Sequence, residues 1–243
     1  MKILIATGIY PPDIGGPAQY ARGVEEAWKK EGHEVKVLAF RLERKIPTGI
    51  RHLYYFFRVL FSLRGTDFVF SPDTFSAALP ALFACKLFGK KLIIRTGGDF
   101  LWEQYVERTG DRVLLRNFYR NMNVRVTPPL PPPLLRGEDE GGVRLNLKER
   151  IIFTLTRYTF RKADATIFSA QWQRDIFEKP YRLDLKKCFI VENYFGEKLG
   201  SLPYARKNFI AGSRPLKWKN AERVKEAFAL AKGEGVEAEY DGT

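Results

Sequence analysis

The sequence predicts an α/β protein with a Rossmann-like parallel sheet, followed by the incomplete beginning of a second Rossmann-like domain. Short apolar runs alternate with amphipathic stretches over residues 1–122 and 147–192, and several of the loops between them contain glycine. The same alternation starts again at residue 208. Up to Glu192 the pattern predicts about six strands with intervening helices, which is enough for one doubly wound domain.

The first 40 residues are predicted to form one βαβ unit. Ile3–Ala6 is an apolar run, a loop rich in Gly and Pro follows, and an amphipathic stretch continues to Lys30. Pro17 suits the first turn of a helix, and Gly32 suits a left-handed conformation at the helix end. Residues 34–40 then begin with the alternation of a strand.

Gly15 and Gly16 stand directly before this predicted helix. They have no side chains to block a ligand, and the backbone N–H groups and the positive end of the helix dipole would face it, which favours an anion. Their spacing differs from the Gly-x-Gly-x-x-Gly pattern of dinucleotide-binding folds. From the residues alone, a phosphate cradle and a tight turn both remain open.

Residues 50–64 are predicted to form a helix with apolar side chains around much of its circumference. Between Arg41 and Arg64 there are six Lys or Arg residues and one acidic residue, Glu43, so the local balance is +5. One interpretation is a helix that covers the sheet and has a hydrated basic edge. The other is a peripheral contact with an anionic membrane surface.

The strand–helix alternation resumes at residue 67 and leads to a second glycine-bearing loop, Thr96-Gly97-Gly98-Asp99. In open parallel sheets, ligands bind at the carboxyl ends of the strands. The loops at 15–16 and 97–98 are therefore expected to face one cleft, with Asp99 as a carboxylate at its rim. Alternatively, Asp99 only caps the helix that follows.

The predicted first domain covers residues 1–195 and contains a disordered insert at 123–146. The insert contains five of the 14 prolines in its first half and has no apolar period. A linker is predicted at 196–207, and 208–243 is the beginning of the second domain. Between the insert and the linker, Ser169 is expected to cap a helix.

Composition limits the classes of function. The chain has 243 residues, of which 45% are hydrophobic, and a mean hydropathy of −0.28. A net charge of +13 and a pI near 9.7 imply an anionic partner. The basic residues are spread over several segments without a recognised nucleic-acid module, so no specific nucleic-acid partner is expected.

The two cysteines, Cys85 and Cys188, lie in apolar segments without metal-ligand spacing, so we predict no metal site. The amino terminus has no apolar signal core, and no apolar run reaches the roughly 20 residues that cross a bilayer. The expected location is cytoplasmic, with an option of peripheral contact at the inner face of the cell membrane.

Three stretches together resemble a family 4 glycosyltransferase of the GT-B superfamily. They are the Gly-Gly loop at 15–16, Lys-Ala-Asp-Ala-Thr-Ile-Phe-Ser at 162–169, and 209–220 followed by Glu226-Ala-Phe228. The resemblance covers most of 1–122 and 147–243 and depends on the order and spacing of the motifs. It implies an amino-terminal acceptor domain, a carboxyl-terminal domain that binds a nucleotide-diphosphate sugar, sugar transfer with retention, and neither metal nor cofactor.

The resemblance also implies roles for single residues. Gly15 and Gly16 would approach the donor diphosphate, and Arg214 and Lys219 match the Arg and Lys that bind its phosphates. Thr96, Gly97 and Gly98 would form the acceptor-side loop. Asp99 falls where the family presents a His or Asp to the reacting sugar, although Gly98 replaces the expected His. Asn193 matches the Asn at the domain crossover, where a structural role is expected.

The sequence departs from the family by lacking the later donor-domain units with their glutamate pair. We therefore expect a shortened glycosyltransferase with little or no transfer activity on its own. Family members in bacteria often build cell-envelope glycans, which implies a glycan or lipid-linked acceptor. The alternative is a non-catalytic module that binds a lipid or glycan, or that partners a separate donor domain.

Overall fold

A computed structural model describes residues 1–122, 142–193, 208–211, 216–233 and 239–242. The strands in these ranges are β1 (Lys2–Thr7), β2 (Glu34–Ala39), β3 (Phe68–Ser71), β4 (Lys91–Thr96), β5 (Ala165–Phe168), β6 (Cys188–Ile190), β7 (Asn208–Ala211) and β8 (Glu239–Gly242). The helices are α1 (Gly16–Lys30), α2 (Ile50–Ser62), α3 (Ala78–Leu87), α4 (Phe100–Thr109), α5 (Leu115–Asn121), α6 (Leu147–Lys162), α7 (Gln171–Tyr181) and α8 (Ala221–Gly233).

The chain divides into two compact units. The first unit comprises residues 1–99 and 144–193, and the second comprises 100–143 and 194–243. The predicted linker at 196–207 lies outside the described residues, as does the predicted insert over 123–141.

The first unit is built on a six-stranded parallel sheet with the order β2-β1-β3-β4-β5-β6. The pairing places Ile5 between Val37 of β2 and Phe70 of β3. This sheet confirms the predicted Rossmann-like α/β fold. Because β1 lies between β2 and β3, the chain moves in opposite directions along the sheet after β1 and after β3, which creates a crevice at their carboxyl ends.

Helix α1 begins and ends as predicted. Pro17 lies in its first turn, and Gly32 follows it with a φ of +80°. Trp28 packs edge-on against Phe70 of β3, with ring centroids 5.3 Å apart. This contact between the half-buried Trp28 and the buried Phe70 packs α1 against the sheet.

Helices α6 and α7 pack against β5 through a cluster of aromatic side chains. Phe168, at the end of β5, is fully buried and lies 6.1 Å from the rings of both Phe160 and Phe177. The neighbouring strand β6 has a different environment, since Phe189 within the strand and Val191 just beyond its end are about half exposed. Successive strand residues point to opposite faces, so α6 and α7 cover one side of these strands.

The second unit contains the parallel pair β7–β8 and helices α4, α5 and α8. Tyr105 of α4 packs against Phe118 of α5, with ring centroids 5.2 Å apart. The Lys217 ammonium donates a hydrogen bond to the Glu107 carbonyl at 3.0 Å. Helix α8, all of whose residues are described, has no buried side chain.

Three local predictions differ from the structure. Ala170, not Ser169, is the N-cap of α7, and the Ser169 hydroxyl contacts Gln173 instead. In the second domain the sequence predicts a strand over 236–240, and the structure places β8 at Glu239–Gly242. The last part of the predicted insert is ordered, because Val143 is buried and pairs with Met122, and Asn146 caps α6.

Candidate functional site at the carboxyl edge of the sheet

The two glycine-bearing loops leave the same edge of the sheet. One follows β1 and the other follows β4, and both strands run in the same direction with β3 between them. Tyr20 of α1 and Arg95 of β4 bring the two segments into contact, since the Arg95 Cζ lies 3.7 Å from the centre of the Tyr20 ring. Both loops therefore leave the sheet at its carboxyl edge, on either side of the loop after β3.

Gly15 and Gly16 form the start of α1 without help from a side chain. Gly15 has a φ of +152° and is the N-cap, and no side chain donates or accepts a capping hydrogen bond there. A Cβ atom at Gly16 would meet no atom within 4 Å, so the space beside it is open. The positive end of the helix is thus accessible at this glycine pair.

The loop after β4 is compact. The Thr96 hydroxyl donates to the Gly98 carbonyl at 2.8 Å, and Thr96 is buried. Asp99 is also buried, with 5% of its surface exposed, so it does not lie at a solvent-exposed rim as the sequence analysis expected. The hydrogen bond from Thr96 ties the loop back to the end of β4.

Arg95 is a site residue that sequence reasoning missed. Its guanidinium is buried beneath the loop, where it donates from Nη2 to the Asn193 side-chain oxygen. Gly97 leaves it room, because a Cβ atom there would lie 2.8 Å from Nη1. Burial lowers the pKa of Arg95, but a guanidinium stays protonated in proteins. A permanent positive charge therefore lies between α1, the loop after β4 and the crossover residue.

Asp73, in the loop after β3, also lies at this edge and was not singled out from the sequence. Its carboxylate accepts hydrogen bonds from the backbone N–H groups of Phe75, Ala77 and Ala78, and so caps the start of α3. Burial raises the pKa of Asp73, although these hydrogen bonds favour the charged form. An Asp shortly before an apolar helix is the signal that predicts such a cap.

A cavity of about 640 Å³ lies beside the edge strand β2. It is lined by Tyr10 and the following loop, by residues 36–41 and by Arg58, and by none of the predicted site residues. Burial, together with the hydrogen bond from its hydroxyl to Glu25, raises the pKa of Tyr10 to about 12.

A buried ion pair fixes the wall of this cavity. The Glu43 carboxylate is fully buried and accepts hydrogen bonds from the Arg58 guanidinium and from the Arg41 backbone N–H. Arg58 also donates to the Ala39 carbonyl at 3.2 Å. Burial raises the pKa of Glu43, but the two hydrogen bonds outweigh it and hold the pKa below its usual value.

The predicted donor-binding residues belong to the second unit. Lys219 is exposed and ends a short 3-10 helix, Lys217–Lys219. Arg214 lies outside the described residues. Asn220, directly after Lys219, adopts the left-handed conformation with a φ of +55°.

Within the described ranges, no group of His, Cys, Asp or Glu side chains is arranged to hold a metal ion. Of the two cysteines in apolar segments, Cys85 is buried and Cys188 only partly so, and burial raises the pKa of the Cys85 thiol to about 12. Among the helices that the structure describes, none has the length and apolarity to span a bilayer.

Comparison with known proteins gives structural likenesses only. The sequence matches no family model and no curated protein. Among solved structures, it is similar to UGT73P12 of Glycyrrhiza uralensis complexed with glycyrrhetinic acid 3-O-monoglucuronide, at 13% identity and a TM-score of 0.39, over 78% of this chain and 42% of that one. MurG of Acinetobacter baumannii is similar at 13% identity and a TM-score of 0.35, over 99% and 85% of the two chains.

Both of these proteins are GT-B glycosyltransferases. The chain spans less than half the length of UGT73P12. Likenesses at this identity and TM-score assign no activity, substrate or partner to the chain.

Proposed function

We propose that the chain belongs to a family 4 glycosyltransferase of the GT-B superfamily, an enzyme that transfers a sugar, with retention, from a nucleotide-diphosphate sugar to a glycan or lipid-linked acceptor. The observation that supports this best is the meeting of two glycine-bearing loops at one edge of a parallel sheet, joined by Arg95 and Tyr20. That edge is where such sheets bind ligands. The sequence motifs support the finer assignment to family 4.

The proposed chemistry uses charge at the leaving group. Departure of a nucleoside diphosphate develops negative charge, which fixed cations and a helix amino terminus stabilise in the transition state. In the first unit, Gly15 and Gly16 leave the start of α1 open to an anion. In the second unit, Arg214 and Lys219 are proposed to bind donor phosphates. No metal or cofactor is needed in this scheme.

The acceptor side of the proposal rests on the loop after β4. Thr96, Gly97 and Gly98 would contact the acceptor, and Asp99 would act on the transferred sugar or the acceptor hydroxyl. Asp99 is buried, so only a small part of its surface is accessible to a substrate.

Binding of nucleoside diphosphates tests the donor assignment. We expect UDP, GDP or ADP to bind the 243-residue chain in isothermal titration calorimetry, and Arg214→Ala and Lys219→Ala each to weaken that binding by about tenfold, the worth of one charged hydrogen bond. Lys232→Ala removes an exposed lysine near the end of α8 and should bind like the unaltered chain. Equal affinity in all the variants would contradict the donor assignment.

The exposed apolar face of helix α2 supports the proposal that the acceptor is bound to a membrane. Tyr55 and Val59 bury one face of the helix, while Phe57 and Phe61 on the opposite face are 45% and 81% exposed. The exposed apolar residues follow the spacing of one helix face: Ile50, Leu53, Tyr54, Phe57 and Phe61.

The charges around α2 favour an anionic surface. The segment from Arg41 to Arg64 has a net charge of +5, and its single acidic residue, Glu43, is buried in an ion pair. An exposed apolar face with surrounding cations is typical of helices that lie on anionic bilayers. We therefore propose that α2 rests on the cytoplasmic face of a membrane, where anionic lipids lie.

Vesicle co-sedimentation tests this surface. We expect the chain to bind vesicles of phosphatidylcholine with phosphatidylglycerol and not vesicles of phosphatidylcholine alone. The double variant Phe57→Ser/Phe61→Ser should lose at least about tenfold in affinity, because each phenyl ring contributes apolar burial. The control Trp172→Ser/Phe189→Ser removes two aromatic side chains that are 59% and 52% exposed elsewhere, and should bind normally.

Two outcomes would contradict the membrane contact. One is equal binding of both control and α2 variants to anionic vesicles. The other is self-association of the chain in light scattering that disappears with the α2 variant, since the aromatic face would then bind a second copy.

A further inference from the structure

Arg95 presents an unbalanced charge. It is 5% exposed, and its partners among the described residues are the Tyr20 ring and the Asn193 side-chain oxygen, neither of which is anionic. Its Nε atom is buried without a hydrogen-bond partner. No acidic side chain of the described residues forms an ion pair with it.

This arrangement is unusual because a buried charge ordinarily has a counter-ion. The Tyr20 ring offsets part of the cost by a cation–π contact. The remaining cost is unexplained by the protein alone.

The surroundings of Arg95 favour an anion at the same place. Tyr20 belongs to the second turn of α1, so the guanidinium lies close to the helix end whose dipole is positive. Gly97 lies beside the guanidinium and has no Cβ atom, which would otherwise come within 2.8 Å of Nη1. Two sources of positive potential therefore meet at the carboxyl edge of the sheet.

We infer that Arg95 is the centre of a phosphate-binding subsite at this edge. A guanidinium holds two oxygens of one phosphate at once, which suits a phosphate or diphosphate better than a single-point anion. The phosphate belongs either to the donor diphosphate or to a phosphorylated acceptor, so the identity of the ligand rests on the proposed function. The presence of the subsite is inferred from the surroundings of Arg95 and does not depend on that function.

The test compares Arg95→Met with the unaltered chain in thermal unfolding, with and without inorganic pyrophosphate at constant ionic strength. If Arg95 serves a ligand, its replacement by an apolar side chain leaves the melting temperature unchanged or higher without pyrophosphate, as is common when a buried charge is removed. Asn193 is exposed and can turn to water. Pyrophosphate should raise the melting temperature of the unaltered chain in a saturable way, and its affinity should fall at least about tenfold in Arg95→Met.

Arg161→Met is the matched control, since it removes an exposed arginine near the end of α6 and the same unit of charge. It should respond to pyrophosphate like the unaltered chain. A lower melting temperature of Arg95→Met with an unchanged response to pyrophosphate would overturn the inference and make Arg95 a structural cation.

If Arg95→Met does not fold, NMR of the unaltered chain provides the test. The chemical shift of the Arg95 Nε–Hε resonance changes on addition of pyrophosphate if the subsite exists and stays constant if it does not. Competition then identifies the source: displacement of pyrophosphate by UDP or GDP indicates the donor, and displacement by glycerol phosphate alone indicates the acceptor.

These outcomes separate the subsite from the proposed function. Pyrophosphate binding that depends on Arg95, in a chain that binds no nucleoside diphosphate, would retain the subsite and reject the donor assignment.

Discussion

Phe168→Ala should lower the free energy of unfolding of the first unit by about 3–5 kcal/mol, the cost of removing a fully buried phenyl ring from a packed core. Phe168 contacts Phe160 of α6 and Phe177 of α7, so its loss leaves a cavity between two helices and the sheet. It pairs in register with Thr96, the last residue of β4. Urea denaturation followed by circular dichroism measures the change.

Phe189→Ala is the control for that experiment. Phe189 lies on the adjacent strand and is 52% exposed, so the same truncation should cost less than about 1 kcal/mol. Similar losses in both variants would mean that the far side of β6 is covered in solution, and the packing described for the first unit would then be incomplete.

Glu43→Gln should destabilise the first unit by about 3 kcal/mol, at the low end of the cost of breaking a buried ion pair. The substitution keeps the shape of the side chain but leaves the Arg58 guanidinium without its anion. Arg58 is partly exposed, so water compensates a part of the loss. Thermal or urea unfolding of the variant gives the value.

Its control is Glu34→Gln, which removes an exposed ion pair with Lys2 and should cost no more than about 1 kcal/mol. The difference between Glu43→Gln and the unaltered chain should depend on pH. Because the folded-state pKa of Glu43 lies below its ordinary value of 4.5, the stabilisation is complete above that pH and is lost as the pH falls through the lower folded-state value. A difference that stays constant down to strong acid would contradict this role.

The six-stranded sheet could be predicted because its signals are local. Each strand is a short apolar run, and the turn after α1 needs the positive φ that Gly32 provides. The start of α6 carried a similar signal, since Asn146 and Glu149 form a capping box three residues apart. Only Asn146, the first residue of this box, lies inside the stretch predicted as an insert, and that stretch was predicted from the prolines in its first half.

The residues of the candidate site could be predicted from the sequence only in part. Gly15, Gly16 and the loop after β4 follow from the rule that parallel strands place their carboxyl ends together. Arg95 stands at the end of an apolar strand, and nothing local indicates that it turns inward to meet Asn193, 98 residues later. The burial of Asp99 is likewise not indicated by its residue type, since a carboxylate is usually exposed.

The unequal covering of β5 and β6 sets how these strands tolerate substitution. Successive residues of a strand face opposite sides of the sheet, so tolerance to polar substitution should alternate along these strands. We expect polar substitutions to be accepted at Phe189 and Val191 and rejected at Phe168. Sequence drift would therefore accumulate on one side of this half of the sheet, while the side facing α6 and α7 stays fixed.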